Sequence, residues 1–197
     1  MHVVWFKRDL RIHDHAPLAE AARRGTVLPL FIYEPELWEG PDYDPRHWAF
    51  ARQCLEELDG NLRRLGAPLA VRTGDALEVL RSLPVTALYA HEETGNGWTY
   101  ARDRRVRRWA REAGVPFYEF PNNGVVRRLK TRDGWSRLWQ ERMKQPVAEA
   151  PGRLAPHGVD PGHLPPARRT IEVQRGGERA AHELLDSFLA RRGARYH

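Results

Sequence analysis

Short apolar runs at residues 3–6, 27–33, 69–73, 87–91 and 116–120 alternate with stretches in which apolar residues recur at helical spacing. Strands of that length separated by crossover helices predict an α/β fold, a Rossmann-like five-stranded parallel sheet with helices on both faces. The clearest helix covers residues 47–65, where Trp48, Ala51, Leu55, Leu58, Leu62 and Leu65 form one stripe that Gly66 ends. A second covers residues 99–113, with Val106, Trp109, Ala110 and Ala113 inward, arginines outward, and Gly114 and Pro116 as its stop. Parallel strands need such crossovers.

The βα rhythm ends near Asn122. Residues 133–145 read as one helix, with Trp135, Leu138, Trp139 and Arg142 sharing a face that is expected to pack on the sheet domain. Residues 146–171 are dense in proline and glycine and read as an interdomain linker. Residues 178–192 are again amphipathic, through Ala181, Leu184, Leu185, Phe188 and Leu189, with nothing further in the chain to cover that face. The expected organisation is a sheet domain over 1–125, a helix and linker over 126–175, and the first helix of a helical domain over 176–197.

Composition narrows the class. At 41% hydrophobic and 29% charged residues the 197-residue chain is near globular averages, which excludes a disordered class. The longest apolar run, Val27–Tyr33, is far short of the ~20 residues a membrane span needs. Lys7, Arg8 and Asp9 follow the first strand directly, unlike a secretory signal, so a cytoplasmic protein is expected. Cys54 is the single cysteine, which rules out an internal disulfide. The nine histidines show no ligand spacing, so no metal site is expected. The net charge of +6 suits a polyanion, but it is spread along the chain and is almost all arginine, Lys7, Lys130 and Lys144 excepted. The six arginines between Arg102 and Arg111 make a basic helix face, which is ordinarily just solvated.

The opening V-V-W-F-K-R-D-L-R-I-H-D-H-A-P-L, Val3 to Leu18, carries Trp5, Phe6, Arg8, Asp9, Leu10, Arg11 and Asp14 at a specific spacing. It resembles the start of the DNA photolyase/cryptochrome family, with Lys7 in place of an arginine and His15 in place of an asparagine. The F-I-Y-E-P ending of the second strand, the turn at residues 73–76, and the segments 121–123, 127–130, 133–139 and 178–197 are also similar to that family. The resemblance implies the amino-terminal light-harvesting domain of a deoxyribodipyrimidine photolyase, a carbon–carbon lyase that repairs pyrimidine dimers. FAD and the lyase chemistry would belong to a carboxy-terminal helical domain outside this chain, so the chain alone is not expected to be catalytic. That FAD-binding domain, and damaged DNA for the whole protein, are the implied partners; the oligomeric state stays open. A cryptochrome photoreceptor shares these features, and an unrelated adenine-nucleotide-binding α/β module is a third reading. The last lacks the glycine-rich phosphate loop, since Gly95 and Gly97 follow the wrong strand and have no third glycine.

In parallel sheets ligands bind beyond the carboxyl ends of the strands, where loops from different strands converge. Here those loops are residues 7–14, 33–38 and 91–102. The resemblance makes them the pocket of an antenna chromophore, a deazaflavin, FMN or methenyltetrahydrofolate, with Arg8, Asp9, Arg11, Tyr33, Glu92, Glu93, Asn96 and Arg102 as candidate contacts. Arg8 and Arg11 can fork onto a phosphate or carboxylate, or instead pair with Asp9 or Asp14 to hold the turn. Tyr33 can stack on a planar ring, and Glu92, Glu93 and Asn96 can accept from its edge. The stretch H-E-E-T-G-N-G-W-T-Y-A-R-D-R-R departs from the family's folate pattern. For the seven tryptophans, packing or antenna contacts are expected.

Overall fold

The structure, a computed structural model, describes residues 1–127, 129–168, 171 and 174–196. Arg128, Arg169, Thr170, Glu172, Val173 and His197, all within segments singled out above, lie outside the described residues. Five strands, β1 (His2–Phe6), β2 (Val27–Tyr33), β3 (Ala70–Thr73), β4 (Ala87–His91) and β5 (Phe117–Phe120), form one sheet in the order β3-β2-β1-β4-β5. Every pairing is parallel. Seven α-helices are described: α1 (Ala16–Arg24), α2 (Pro35–Trp38), α3 (Pro45–Leu65), α4 (Ala76–Arg81), α5 (Gly97–Glu112), α6 (Trp135–Met143) and α7 (Glu178–Ser187).

Alternation along β1 divides the core. Val4 and Phe6 face one cluster with α1 (Leu18, Ala21) and α3 (Trp48, Leu55, Leu58, Leu62). Val3 and Trp5 face a second with α4 (Ala76, Leu80) and α5 (Val106). β2 is buried at every position, as a strand covered on both faces must be. Cap chemistry fixes the helix ends. α3 begins two residues before the start expected at residue 47 because Asp44 caps it, accepting from Arg46 N at 2.8 Å while His47 Nδ1 accepts from Asp44 N at 3.1 Å. Asn96 caps α5 by accepting from Thr99 N at 3.0 Å, so that helix also starts two residues early.

Residues 146–168 do not hang free. Ala148 and Asp14 exchange two hydrogen bonds, Leu154 is buried in the α3 cluster, and Trp48 Nε1 donates to Pro166 O at 3.3 Å. Val71 N donates to Pro161 O at 2.7 Å, so the segment shields part of the open edge of β3. α6 corrects an expectation: it buries no residue, and Trp135 and Trp139 remain exposed. It is attached to the loop after β5, where Arg142 donates to Asn123 O and Val125 O and the Trp139 ring lies against Gly124, and not to the sheet. α7 docks its first turn on α3 but leaves Leu184 and Leu185 exposed, as is Leu189 just beyond its end.

Gly66, at φ 110, ends α3 where a Cβ would stand 2.6 Å from Leu154 O. Gly66→Ala is therefore expected to cost about 2–3 kcal/mol, from left-handed backbone strain and displacement of the linker. Urea unfolding would register this as a lower midpoint at unchanged slope; a change under 0.5 kcal/mol, on the order of a neutral surface substitution, would sink the account.

Candidate ligand cleft at the strand carboxyl ends

β1 lies between β2 and β4, so the chain reverses its direction of travel across the sheet at β1/β4. The loops that leave β1, β2 and β4 meet there around a buried charge network. Lys7, 8% exposed, donates from Nζ to His91 O at 2.8 Å and Asp103 Oδ2 at 2.7 Å. Arg102, 5% exposed, reaches Glu34 at 2.5 Å, Glu93 at 3.0 Å and Asp103 at 2.9 Å, with its guanidinium 4.8 Å from the Trp5 ring centre. Arg8 closes the set with 2.9 Å to Glu93 and keeps 54% of its side chain exposed. Three cations thus face three carboxylates, the balance that buried charge requires. Burial still pushes the Glu34 carboxyl up despite Arg102.

Beside this network a second buried group forms. Asp9 Oδ1 accepts from Lys7 N at 2.8 Å, and Oδ2 accepts from His15 Nε2 at 2.9 Å and His91 Nδ1 at 2.6 Å. Burial alone would raise the Asp9 carboxyl, but the two imidazole hydrogen bonds outweigh it and hold the group well below its ordinary range. For His15 burial dominates, and its imidazole is pushed down despite Asp9. The ligand atoms of Asp9, His15 and His91 lie within 4.8 Å of one another, close enough to suggest a metal. Hydrogen-bond accounting opposes that use. His15 Nδ1 accepts from Leu18 N at 3.1 Å to cap α1, which puts the ring proton on Nε2 and leaves no lone pair there for an ion.

A cleft of about 480 Å³ opens beside both groups. Arg8 to Arg11 form one wall, Trp38 and Tyr43 a second, and His47, Phe50 and Cys54 of α3 a third. The fourth is the start of α7, with Glu178 and His182. Lys7, Arg8, Trp38 and Tyr43 also wall a hollow of about 20 Å³ bounded by Glu34, Glu93 and Arg102, room for a single water. α7 is held in place reciprocally. Gly176 N donates to Gln53 Oε1 at 2.7 Å, Gly177 N to Cys54 Sγ at 3.2 Å and Arg179 N to Glu57 Oε1 at 2.8 Å. In return the buried Glu178 carboxylate accepts from Ile12 N at 3.1 Å, His13 N at 3.0 Å and His13 Nδ1 at 2.9 Å.

The candidate residues separate into three groups. Arg8, Asp9 and Arg11 line the cleft, while Glu93 and Arg102 line the inner hollow as members of the charge network. Arg11 is also committed to its own turn, donating to His13 O at 3.0 Å, Asp14 O at 2.7 Å and Asn122 Oδ1 at 3.2 Å. Tyr33 packs in the core, edge-on to Trp48 at 4.6 Å and parallel to Trp38 at 6.4 Å. Asn96 is the α5 cap and donates to Asp42 at 2.8 Å. Glu92 pairs with Arg127 at 3.3 Å, away from the cleft lining. Sequence reasoning missed Glu34, Tyr43, His91 and Glu178 as site residues, and for Trp38 it left packing and antenna contact both open. The available signal was a polar residue next to a strand's carboxyl end, which Glu34 and His91 both satisfy.

The DNA photolyase family model matches residues 2–144. The deoxyribodipyrimidine photo-lyase of Streptomyces griseus is 30% identical over 211 aligned positions, covering 95% of this chain and 46% of that protein. Cryptochrome-1 of Erithacus rubecula is 34% identical over 121 residues, 57% of this chain and 19% of its own length. The crystal structure of an archaeal photolyase from Sulfolobus tokodaii with two FAD molecules superposes with a TM-score of 0.73 at 24% identity, covering 94% of this chain and 46% of that one. The chain therefore spans less than half the length of each of these relatives.

Because the Asp9 carboxyl is depressed on folding, it adds stability above its unfolded value of about 3.9 that is lost as pH falls through the lower folded value. His15, also depressed, is neutral when folded, so a further loss sets in as pH falls below about 6.5. Asp9→Asn is expected to cost about 2–4 kcal/mol at pH 7, by weakening the acceptor shared by two imidazoles, and to flatten the limb below pH 4. Urea midpoints from pH 3 to 8 test this, and an unchanged acid limb in the variant would refute it.

Proposed function

The chain belongs to the DNA photolyase family, and from that premise we propose that it is the light-harvesting amino-terminal domain of a deoxyribodipyrimidine photolyase. The observation that carries the reading is the cleft of about 480 Å³ beside the β1/β4 reversal, a size suited to a fused-ring ligand. Its residues fit a planar chromophore with an anionic tail, whether deazaflavin, FMN or methenyltetrahydrofolate. Trp38 and Tyr43 offer ring faces, and the half-exposed Arg8 offers a cation at the mouth beside Arg11. The S. tokodaii photolyase, described as holding a second FAD that implies a novel light-harvesting cofactor, supports a ring system of this kind.

When bound, such a group absorbs blue or near-ultraviolet light and passes the excitation to FAD in the carboxy-terminal domain. The chain's own part is to grip the ring, exclude water and fix its orientation through α7, since Glu178 ties that helix to the β1 loop. A cryptochrome photoreceptor is the second reading, favoured by the higher identity of cryptochrome-1 over 57% of the chain. Similarity to the photo-lyase extends over 95% of the chain, linker and α7 included, which puts repair first.

Titrating the purified chain with FMN, a deazaflavin and methenyltetrahydrofolate should give a red-shifted absorption band with one of them. Trp38→Ala and Arg11→Gln are each expected to weaken that binding about tenfold, roughly 1.4 kcal/mol. No band with any of the three, together with micromolar ATP binding, would replace this reading by the nucleotide module. Visible-light survival of a repair-deficient strain carrying the whole gene separates repair from photoreception.

A further inference from the structure

The helices of this protein habitually place arginine beside an acid one turn away. Arg23 and Arg24 meet Glu20 on α1, Arg52 meets Glu56 and Arg63 meets Asp59 on α3, and Arg81 meets Glu78 on α4. Arg137 meets Glu141 on α6, and Arg179 meets Glu183 on α7. α5 breaks the habit. Arg104, Arg108 and Arg111, spaced four and three apart and therefore on one face, are all exposed. Among the described residues none of the three has a carboxylate within 4.0 Å, although Arg105 and Arg107 beside them pair with Asp75 and Glu119. Glu112, the only exposed acid on the helix, stays out of pairing range of Arg108 one turn away. Like charges one turn apart cost a few tenths of a kcal/mol per pair, so the bare stripe lowers the helix's own stability.

We propose that this outer face of α5 is a docking surface for the phosphate backbone of duplex DNA. At 1.5 Å rise per residue the stripe is roughly 10 Å long, about three base-pair steps of a duplex at 3.4 Å each. Arginine forks suit phosphate oxygens, and three of them supply three phosphate contacts. The same face suits other anionic partners poorly. Val106 and Ala110 are buried and Trp109 packs on the inner cluster, so the stripe presents no apolar anchor for a protein and no apolar strip for a lipid surface. Contact to backbone alone makes the binding independent of sequence. α5 and the cleft lie on opposite faces of the sheet, so a ligand and DNA can be held together, and the inference does not rest on the antenna reading.

Fluorescence anisotropy of a labelled random-sequence duplex of about 20 base pairs, titrated with this chain between 50 and 200 mM salt, tests it. Each phosphate contact contributes roughly 0.9 to the slope of log K against log salt concentration. The triple variant Arg104→Gln, Arg108→Gln, Arg111→Gln should lose about 2.7 of that slope and at least tenfold in affinity at 50 mM. Glutamine keeps helix propensity, and the single reversal Arg108→Glu should weaken binding further than Arg108→Gln. The paired Arg23→Gln, Arg24→Gln variant should leave the slope unchanged to within one contact. The proposal is overturned if the triple variant binds DNA like the parent, or if the parent does not bind at 50 mM salt. It is equally overturned if the stripe variants lose binding to an acidic peptide or to anionic vesicles while DNA binding persists.

Discussion

Lys7, Arg8 and Arg102 against Glu34, Glu93 and Asp103 form the contact on which the rest of the site depends. Arg102 comes from α5, Lys7 and Arg8 from the end of β1, Glu34 from the end of β2 and Glu93 from the end of β4. Each buried ion costs several kcal/mol to dehydrate, so the set is tolerable only when complete and in register. Three loops from three strands are thereby locked at one height above the sheet. Trp5 supports the arrangement from below, its ring lying under both Lys7 and Arg102. This rigid floor lets the β1–α1 turn, stretched over Asp9, His15 and His91, present Arg8 and Arg11 along one wall of the cleft.

The opposite wall is built late in the chain. The segment after α6 runs back across α3, seats Leu154 in the core, lends a hydrogen bond to β3 and delivers Gly176 and Gly177 against Gln53 and Cys54. The two glycines are required for different reasons: a Cβ at Gly176 would stand 2.6 Å from Phe50 O, and Gly177 has a φ of 118. Packed so tightly on α3, α7 can extend Glu178 to the β1 loop and close the cleft. The exposed leucines farther along α7 take no part in that closure.

The two faces of the sheet divide the chemistry. The α1/α3 side carries the ligand cleft, with aromatic walls and cations at its mouth. The α4/α5 side carries a smooth helix whose apolar residues are spent on the core and whose outer arginines face solvent. The two proposals thereby place a small-molecule site and a polyanion surface on opposite faces of one sheet.

Hydrophobic period and turn chemistry determined the sheet, the order of strands and helices, and the breaks at Gly66 and Gly114, because those signals act over a few residues and need no distant partner. The W-F-K-R-D-L-R turn likewise named Arg8, Asp9 and Arg11, which line the candidate cleft at the end of β1. Which side chains face the cleft was settled only in the fold. Glu92 and Glu93 are neighbours in sequence, yet one joins Arg127 and the other joins Arg8 and Arg102, because consecutive residues leaving a strand diverge. Asn96 is consumed as a helix cap and Tyr33 by Trp48, uses that their residue types permit but do not announce. Glu34 and Arg102 are 68 positions apart, Ile12 and Glu178 166 apart. Pairings at such separations exist only after crossovers have brought the strand ends together, so the sequence could name the loops but not their partners.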